Sequence, residues 1–317
     1  MKHKNFLYSQ KVAPYVFVLP FILSFAIFWI YPLITSFTMS FQDIGAIKSE
    51  WIGFNNYAKL LKDNVFHIAL ANSAKYMFFT LVLLIPFPML FAVLLDSNLV
   101  KAKGVWKAIL YMPALTSVVI SGTLFRLMFT EYQTGQMNLI SQALGFGTYK
   151  WLKNGWSGML ALLVVACWRW TGVNMLYFLS GLKAIDSSLY EAADIDGADA
   201  WQKFSYVTLP LMKPSLAAVG FMMATAYWND WQNALLYIDS DSKKPLQLLL
   251  VNIQKSIEVL LNSRNIPSVV LAAIGGTIPQ YSATMATVLV VVGPIVIVYP
   301  FFQKYFVKGL TVGSVKG

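Results

Sequence analysis

Six stretches of this chain run for twenty or more residues with at most one charged side chain apiece. Nothing else in the sequence restricts the fold so tightly. A hydrocarbon core about 30 Å thick is crossed by about 20 apolar residues of helix, and no backbone group can be left unpaired inside it, so only helices or closed barrels span it. Barrel-type alternation is missing, so the runs predict helices at about 13–40, 68–95, 108–130, 158–182, 214–238 and 280–303, with ends uncertain by several residues. Only 12% of the 317 residues are charged, against roughly 25% in soluble domains. The expected fold class is an all-α membrane protein with six transmembrane helices.

The first run begins near Val12 and is too long and aromatic for a secretory signal core, so it is expected to be a retained helix. Six spans put both termini on one side of the membrane. Twelve lysines fall on that side and nine basic residues on the other; the excess predicts a cytoplasmic N-terminus (1–12), a cytoplasmic loop (183–213) and a cytoplasmic tail (304–317). Residues 13–303 form the membrane domain, with 239–279 as an extracellular segment. Within that segment, 245–262 carries apolar residues at helical spacing, as an interfacial or docking helix would. The net charge of +10 sits in loops flanking the spans, which points to a lipid partner and not to nucleic acid.

Chemistry-bearing clusters are scarce. Cys167 is the single cysteine, and His3 and His67 lie far apart. No metal site and no catalytic residues are expected, and a membrane-bound enzyme is the weaker reading because no nucleophile, base or metal constellation lies in the spans. Prolines at 20, 32, 86, 88, 113, 294 and 300 predict kinks, compatible with a translocation path.

The charged island from Glu191 to Pro214, in a cytoplasmic segment that opens with Asp186, predicts a helix–turn–helix. Ser188 and Glu191 fit a capping box, Gly197 a break, and Leu209-Pro210 a hard stop. It bears Asp186, Glu191, Asp194, Asp196 and Asp199 without a histidine or metal partner, which suits protein docking better than catalysis. Two polar clusters interrupt the later spans. Trp168, Arg169, Trp170, Thr171 and Asn174 lie in the fourth, and Tyr227 to Asn233 in the fifth. Indole faces and amides suit sugars, so Asn174, Tyr227, Asn229 and Asn233 are candidate substrate contacts. Arg169 and Asp230 lie at similar depth, and an opposite charge would offset the cost of an arginine in lipid, about 2.5–3.5 kcal/mol, so they are expected to pair.

The residues Glu191-Ala192-Ala193, Asp196-Gly197-Ala198, Phe204, Leu209-Pro210 and Pro214 resemble the cytoplasmic signature of permease subunits of binding-protein-dependent ABC importers. Leu182 to Ile185, Trp51 to Tyr57 and Tyr299 to Gly309 are similar to the carbohydrate branch, whose best-known member imports maltose. The resemblance implies a type I importer permease in a bacterial cell membrane. Its implied partners are a second homologous permease, two ATPase subunits and an extracellular or periplasmic solute-binding protein that delivers a sugar. The island would be the coupling elbow seated in an ATPase groove. The chain contains no G-x-x-x-x-G-K-[ST] loop, so ATP and Mg are expected on the partner ATPases and no cofactor on this chain. Di- or oligosaccharides are the expected cargo, with a sugar acid, polyol or glycerol phosphate as alternatives, and a passive channel as a further one that the coupling island disfavours.

Overall fold

A computed structural model describes residues 12–44, 49–153, 155–262 and 281–314. The chain divides into two compact units, one comprising Met1–Asp63 and Ile253–Val292, the other Asn64–Asn252 and Gly293–Gly317.

In the first unit, helix α1 (Ala13–Met39) carries no buried residue, and its apolar side chains face outward on all sides. A helix without a polar face suits lipid or a neighbouring apolar helix. Its turn at Ala26–Ile30 is π-helical. A proline ring clashes with the carbonyl four residues earlier, and for Pro32 that residue, Phe28, lies in the widened turn. Beyond α1, strands β1 (Gln42–Ile44) and β2 (Ser49–Trp51) pair antiparallel, and α2 (Asn55–Leu60) follows. Buried Asn56 donates through Nδ2 to the Ser40 and Gln42 carbonyls at 2.8 and 3.0 Å. The rings of Trp51, Phe54 and Tyr57 all contact Phe41. The Trp51-to-Tyr57 stretch therefore closes this small unit on itself.

The second unit begins with α3 (Asn64–Leu84) and α4 (Pro86–Asp96), one span broken at Ile85. The third predicted span, 108–130, is not continuous. Helix α5 (Lys103–Tyr111) runs into a 3₁₀ turn at Met112–Leu115, and α6 (Val118–Met128) leaves at 94°. Pro113 starts the 3₁₀ turn, Thr116 is extended, and the Ser117 side chain accepts from the Val119 N–H to begin a new helix. Short α7 spans Gln136–Ala143.

Helix α8 (Gly155–Lys183) is the spine of this unit, packing against α3, α4 and α5. Ala161, Leu162, Met175 and Phe178 on it are fully buried. At Gly172 an added Cβ would overlap the Leu110 carbonyl of α5, so only glycine permits that approach. After α8 come α9 (Ser187–Ile195) and α10 (Ala200–Leu211), then α11 (Lys213–Trp228) at 66° to α10. The fifth predicted span, 214–238, is likewise interrupted: α11 ends at Trp228 and α12 resumes at Gln232–Tyr237.

Helix α13 (Leu246–Asn262) was predicted as an interfacial or docking element, yet its start is anchored in protein. Leu246 and Leu248 are buried, the Leu246 N–H donates to Ser73 Oγ at 2.8 Å, and Asn72 Nδ2 donates to the Ser242 carbonyl at 3.1 Å. Residues 263–280 of the predicted extracellular segment lie outside the described residues. Helix α14 (Tyr281–Ser314) contains Pro294 and Pro300 and continues well past Gln303, so most of the predicted tail is helical. Among the described residues four helices are long and apolar enough to cross a membrane, or up to six if each bent pair is one span.

Candidate functional site

Two places gather the residues that the sequence singles out: the elbow between α8 and α11, and a polar cleft at the helix breaks.

The elbow is built from local hydrogen bonds. The predicted capping box at Ser188 and Glu191 is not the one formed, because α9 starts a residue earlier, at Ser187. Asp186 caps it by accepting from the Ser188 N–H at 3.0 Å. At the other end Gly197 adopts φ +76°, a left-handed conformation that favours glycine. The Ala198 N–H then reaches the Ala193 carbonyl at 2.9 Å and the Gly197 N–H the Asp194 carbonyl at 3.1 Å, a Schellman closure. The Ala192 carbonyl accepts from the Asp196 N–H, and Glu191 is exposed.

A capping box that the sequence reading missed starts α10. Asp199 Oδ1 accepts from the Gln202 N–H at 2.7 Å while Gln202 Oε1 accepts from the Asp199 N–H at 2.9 Å. The Asp199-x-x-Gln202 spacing was its visible signal. Across the turn Lys203 pairs with Asp194, and the Tyr190 and Thr208 hydroxyls meet at 3.0 Å. The two short helices are thus fastened to one another.

Leu209-Pro210 does not stop the chain. The turn at Lys203–Thr208 is π-helical, and Pro210 enters a last helical turn before the bend at Met212. As at Pro32, the widened turn holds the residue four before the proline, here Tyr206. Phe204 packs partly against the core, while Ile195 (87% exposed), Trp201 (72%) and Tyr206 (79%) project outward. These large side chains form an exposed, partly apolar surface on the elbow.

The cleft, about 340 Å³, lies within the second unit. Its walls include Val118 of α6, Arg169 and Trp170 of α8, Tyr227 of α11, and Asn229 to Asn233 at the break before α12. Asp230 makes that break. Its Oδ1 accepts from the Asn233 N–H at 3.0 Å, and its Oδ2 accepts from Asn233 Nδ2 at 2.8 Å and from the Tyr76 hydroxyl at 2.9 Å. The expected Arg169–Asp230 ion pair is absent. Both residues line the cleft, but three donors already occupy the carboxylate, and the Arg169 guanidinium lies 5.7 Å from the Trp170 ring centroid.

Of the four predicted substrate contacts, Tyr227, Asn229 and Asn233 line the cleft and Asn174 does not. Asn174 is fully buried and donates through Nδ2 to the Leu84 carbonyl at 3.3 Å. That carbonyl's helical partner would be the N–H of residue 88, and residue 88 is proline, so Asn174 replaces a missing donor. Asn229 donates through Nδ2 to the Thr225 carbonyl at 2.9 Å.

Three buried polar atoms of cleft residues have no partner among the described residues: Arg169 Nε, the Tyr227 hydroxyl and Asn233 Oδ1. An unmet buried donor or acceptor costs about 1–3 kcal/mol, which a polar group or water reaching these atoms would offset. Tyr76, fully buried on α3 and edge-on to Tyr227 at 5.3 Å, was not singled out from sequence. Its only signal was a hydroxyl in an apolar helix.

Residues 75–312 match the family described as binding-protein-dependent transport system inner membrane component. The chain is 44% identical over 237 residues to the arabinooligosaccharides transport system permease protein of Bacillus subtilis, covering 73% of this chain and 75% of that one. It is 32% identical over 211 residues to the trehalose/maltose transport system permease protein of Thermococcus litoralis, covering 66% and 71%. In fold it is similar to a solved bacterial ABC transporter involved in the import of the acidic polysaccharide alginate, with TM-score 0.72 over 92% of this chain and 94% of that one, at 21% identity.

Proposed function

This chain belongs to the binding-protein-dependent transport system inner membrane component family, and from that membership we propose that it carries an oligosaccharide through the membrane in an ATP-driven importer. It is a multi-pass transport subunit and not an enzyme. The observation that carries the cargo reading is a cleft lined by Arg169, Tyr227, Asn233 and the indole-bearing Trp170 and Trp231, in which Arg169 Nε, the Tyr227 hydroxyl and Asn233 Oδ1 lack partners among the described residues. A sugar offers hydroxyls to such polar atoms and flat CH faces to indole rings. At about 340 Å³ the cleft is at the small end of ligand sites, enough for part of an oligosaccharide. Curated relatives named for arabinooligosaccharides make pentose oligomers the first cargo to test.

In this reading the elbow is the coupling element. Glu191, Ala192, Ala193, Asp196, Gly197, Ala198, Phe204, Leu209 and Pro210 shape the knob that sits in a groove of one of the two ATPase subunits, and ATP and Mg bind on those subunits. The elbow joins α8, which carries Arg169 and Trp170, to α11, which carries Tyr227. A push on a fastened knob moves two cleft walls together. A second permease completes the pathway, a solute-binding protein delivers sugar from outside, and both termini face the cytoplasm.

The test is ATP hydrolysis by the complete complex in proteoliposomes, with the cognate binding protein loaded in turn with an arabino-oligosaccharide, a hexose disaccharide, a sugar acid and a polyol. Stimulation is expected with the neutral oligosaccharides. Stimulation by the acid or polyol alone would overturn the cargo reading, and a complex that forms without ATPase subunits would overturn the coupling role.

A further inference from the structure

The absent ion pair and the crowded carboxylate belong together. Asp230 and Arg169 line one cleft and carry opposite charges in the span of a membrane protein, where mutual attraction is strong because little water screens it. They do not meet because Asp230 is already held by the Tyr76 hydroxyl on Oδ2 and by both Asn233 nitrogens. The Asn233 donors come from one turn along the same chain segment. Tyr76 comes from α3, 154 residues away in sequence, and does not line the cleft.

We infer that Tyr76 is a positioning residue for cargo binding: its hydroxyl holds the Asp230 carboxylate away from Arg169, so that the guanidinium stays available to the sugar. The inference rests on the cargo reading given above for this cleft. The consequence for Asn233 is geometric. A carboxylate only accepts, so the Asn233 nitrogen must face Asp230, which turns Oδ1 away from that carboxylate; the oxygen is buried and without partner among the described residues. Were Asp230 released, its oxygen would swing to Arg169, the strongest donor nearby, and an ion pair would lie across the space the sugar needs.

Tyr76→Phe is the natural variant because it keeps the ring that packs on Tyr227 and removes only the hydroxyl. Two measurements on the complete importer test the inference. In cryo-EM maps of the sugar-free complex, the Phe variant should show Asp230 in contact with Arg169, whereas the wild type should not. An unmoved Asp230 in the variant, or a wild-type ion pair, overturns it. In uptake assays the variant should raise KM for the oligosaccharide roughly tenfold with little change in Vmax, the scale of one hydrogen bond to a charged group. In an Arg169→Gln background the same substitution should change KM less than about twofold, since no cation remains to capture Asp230. An equal loss in both backgrounds would mark Tyr76 as a packing residue only. If the wild-type complex moves no carbohydrate, the cargo reading fails, and the maps still decide whether Tyr76 restrains Asp230.

Discussion

The elbow and the cleft solve opposite problems with the same polar residue types. In the elbow, Asp186 and Asp199 cap the helices that begin beside them, Gly197 closes the turn three residues after Asp194, and Lys203 pairs nine residues back with Asp194. In the cleft, Asp230 is completed from α3, and Arg169, Tyr227 and Asn233 each keep a buried atom unpaired. The elbow is finished without a ligand, which suits the force-transmitting role proposed for it. The cleft is unfinished, which suits the cargo-exchanging role proposed for it. Rigidity here comes from short-range satisfaction, and binding capacity from satisfaction withheld.

The sharpest way to break this contrast is at the two glycines. Gly172→Ala sets a Cβ into the Leu110 carbonyl, a backbone group that cannot step aside, so α5 and α8 must separate behind the cleft wall. Loss of assembled complex in size-exclusion chromatography is expected. Gly197→Ala meets nothing within 4 Å and carries only the strain of a positive φ, about 1–2 kcal/mol, so the complex should assemble with a lowered melting temperature. Equal behaviour of the two variants would show that the elbow is not self-sufficient.

Next in size are substitutions that separate binding from coupling. Asn233→Ala removes an unpaired acceptor and one hold on Asp230, and KM for the oligosaccharide should rise by roughly tenfold or more with ATPase subunits still attached. Ile195→Ala trims an exposed side chain of the knob; it should lower Vmax and ATPase retention while leaving KM unchanged. Crossed results, with the elbow variant shifting KM and the cleft variant shedding ATPases, would reverse the assignment. A smaller effect is expected from Asp199→Ala, which deletes one cap at about 1 kcal/mol, read as a modest fall in melting temperature without change in sugar preference.

The same contrast explains what the sequence disclosed. The elbow was legible because its contacts run between near neighbours, so Glu191 to Pro210 could be read as one unit. Its errors were local too: Asp186 took the cap expected of Ser188, and the π-helical turn at Lys203–Thr208 carried the helix through Pro210. The spans were legible from length and apolarity, but not the 94° break after the 3₁₀ turn at Met112–Leu115, because a proline in an apolar run does not say whether the helix bends or ends. In the cleft, residue types pointed to the right segments, and Tyr227, Asn229 and Asn233 fell on its walls. Partner identity was beyond reach. Asn174 serves a carbonyl orphaned by Pro88, and Asp230 is held by Tyr76, choices made by helices brought together from 90 and 154 residues apart.

The smallest effect concerns a contact belonging to neither class. Glu131 and Lys153 meet at 2.9 Å on the surface of the second unit, both well exposed, 22 residues apart. The hydrogen bond from Lys153 lowers the Glu131 carboxyl below its usual range, and the same bond raises the Lys153 ammonium. A depressed carboxyl adds stability above its unfolded value and loses it as pH falls through the folded one. A raised ammonium adds stability below its unfolded value and loses it as pH rises through the folded one. Between those limits both groups are charged and the contribution is flat, and at such exposure solvent screens nearly all of it. Lys153→Gln should therefore leave the melting temperature and uptake indistinguishable from wild type from pH 6 to 8, in low salt as in high. A clear loss at neutral pH would mean that the pair is covered in the assembled importer, which would place a partner on this surface and add a third kind of region to the two compared here.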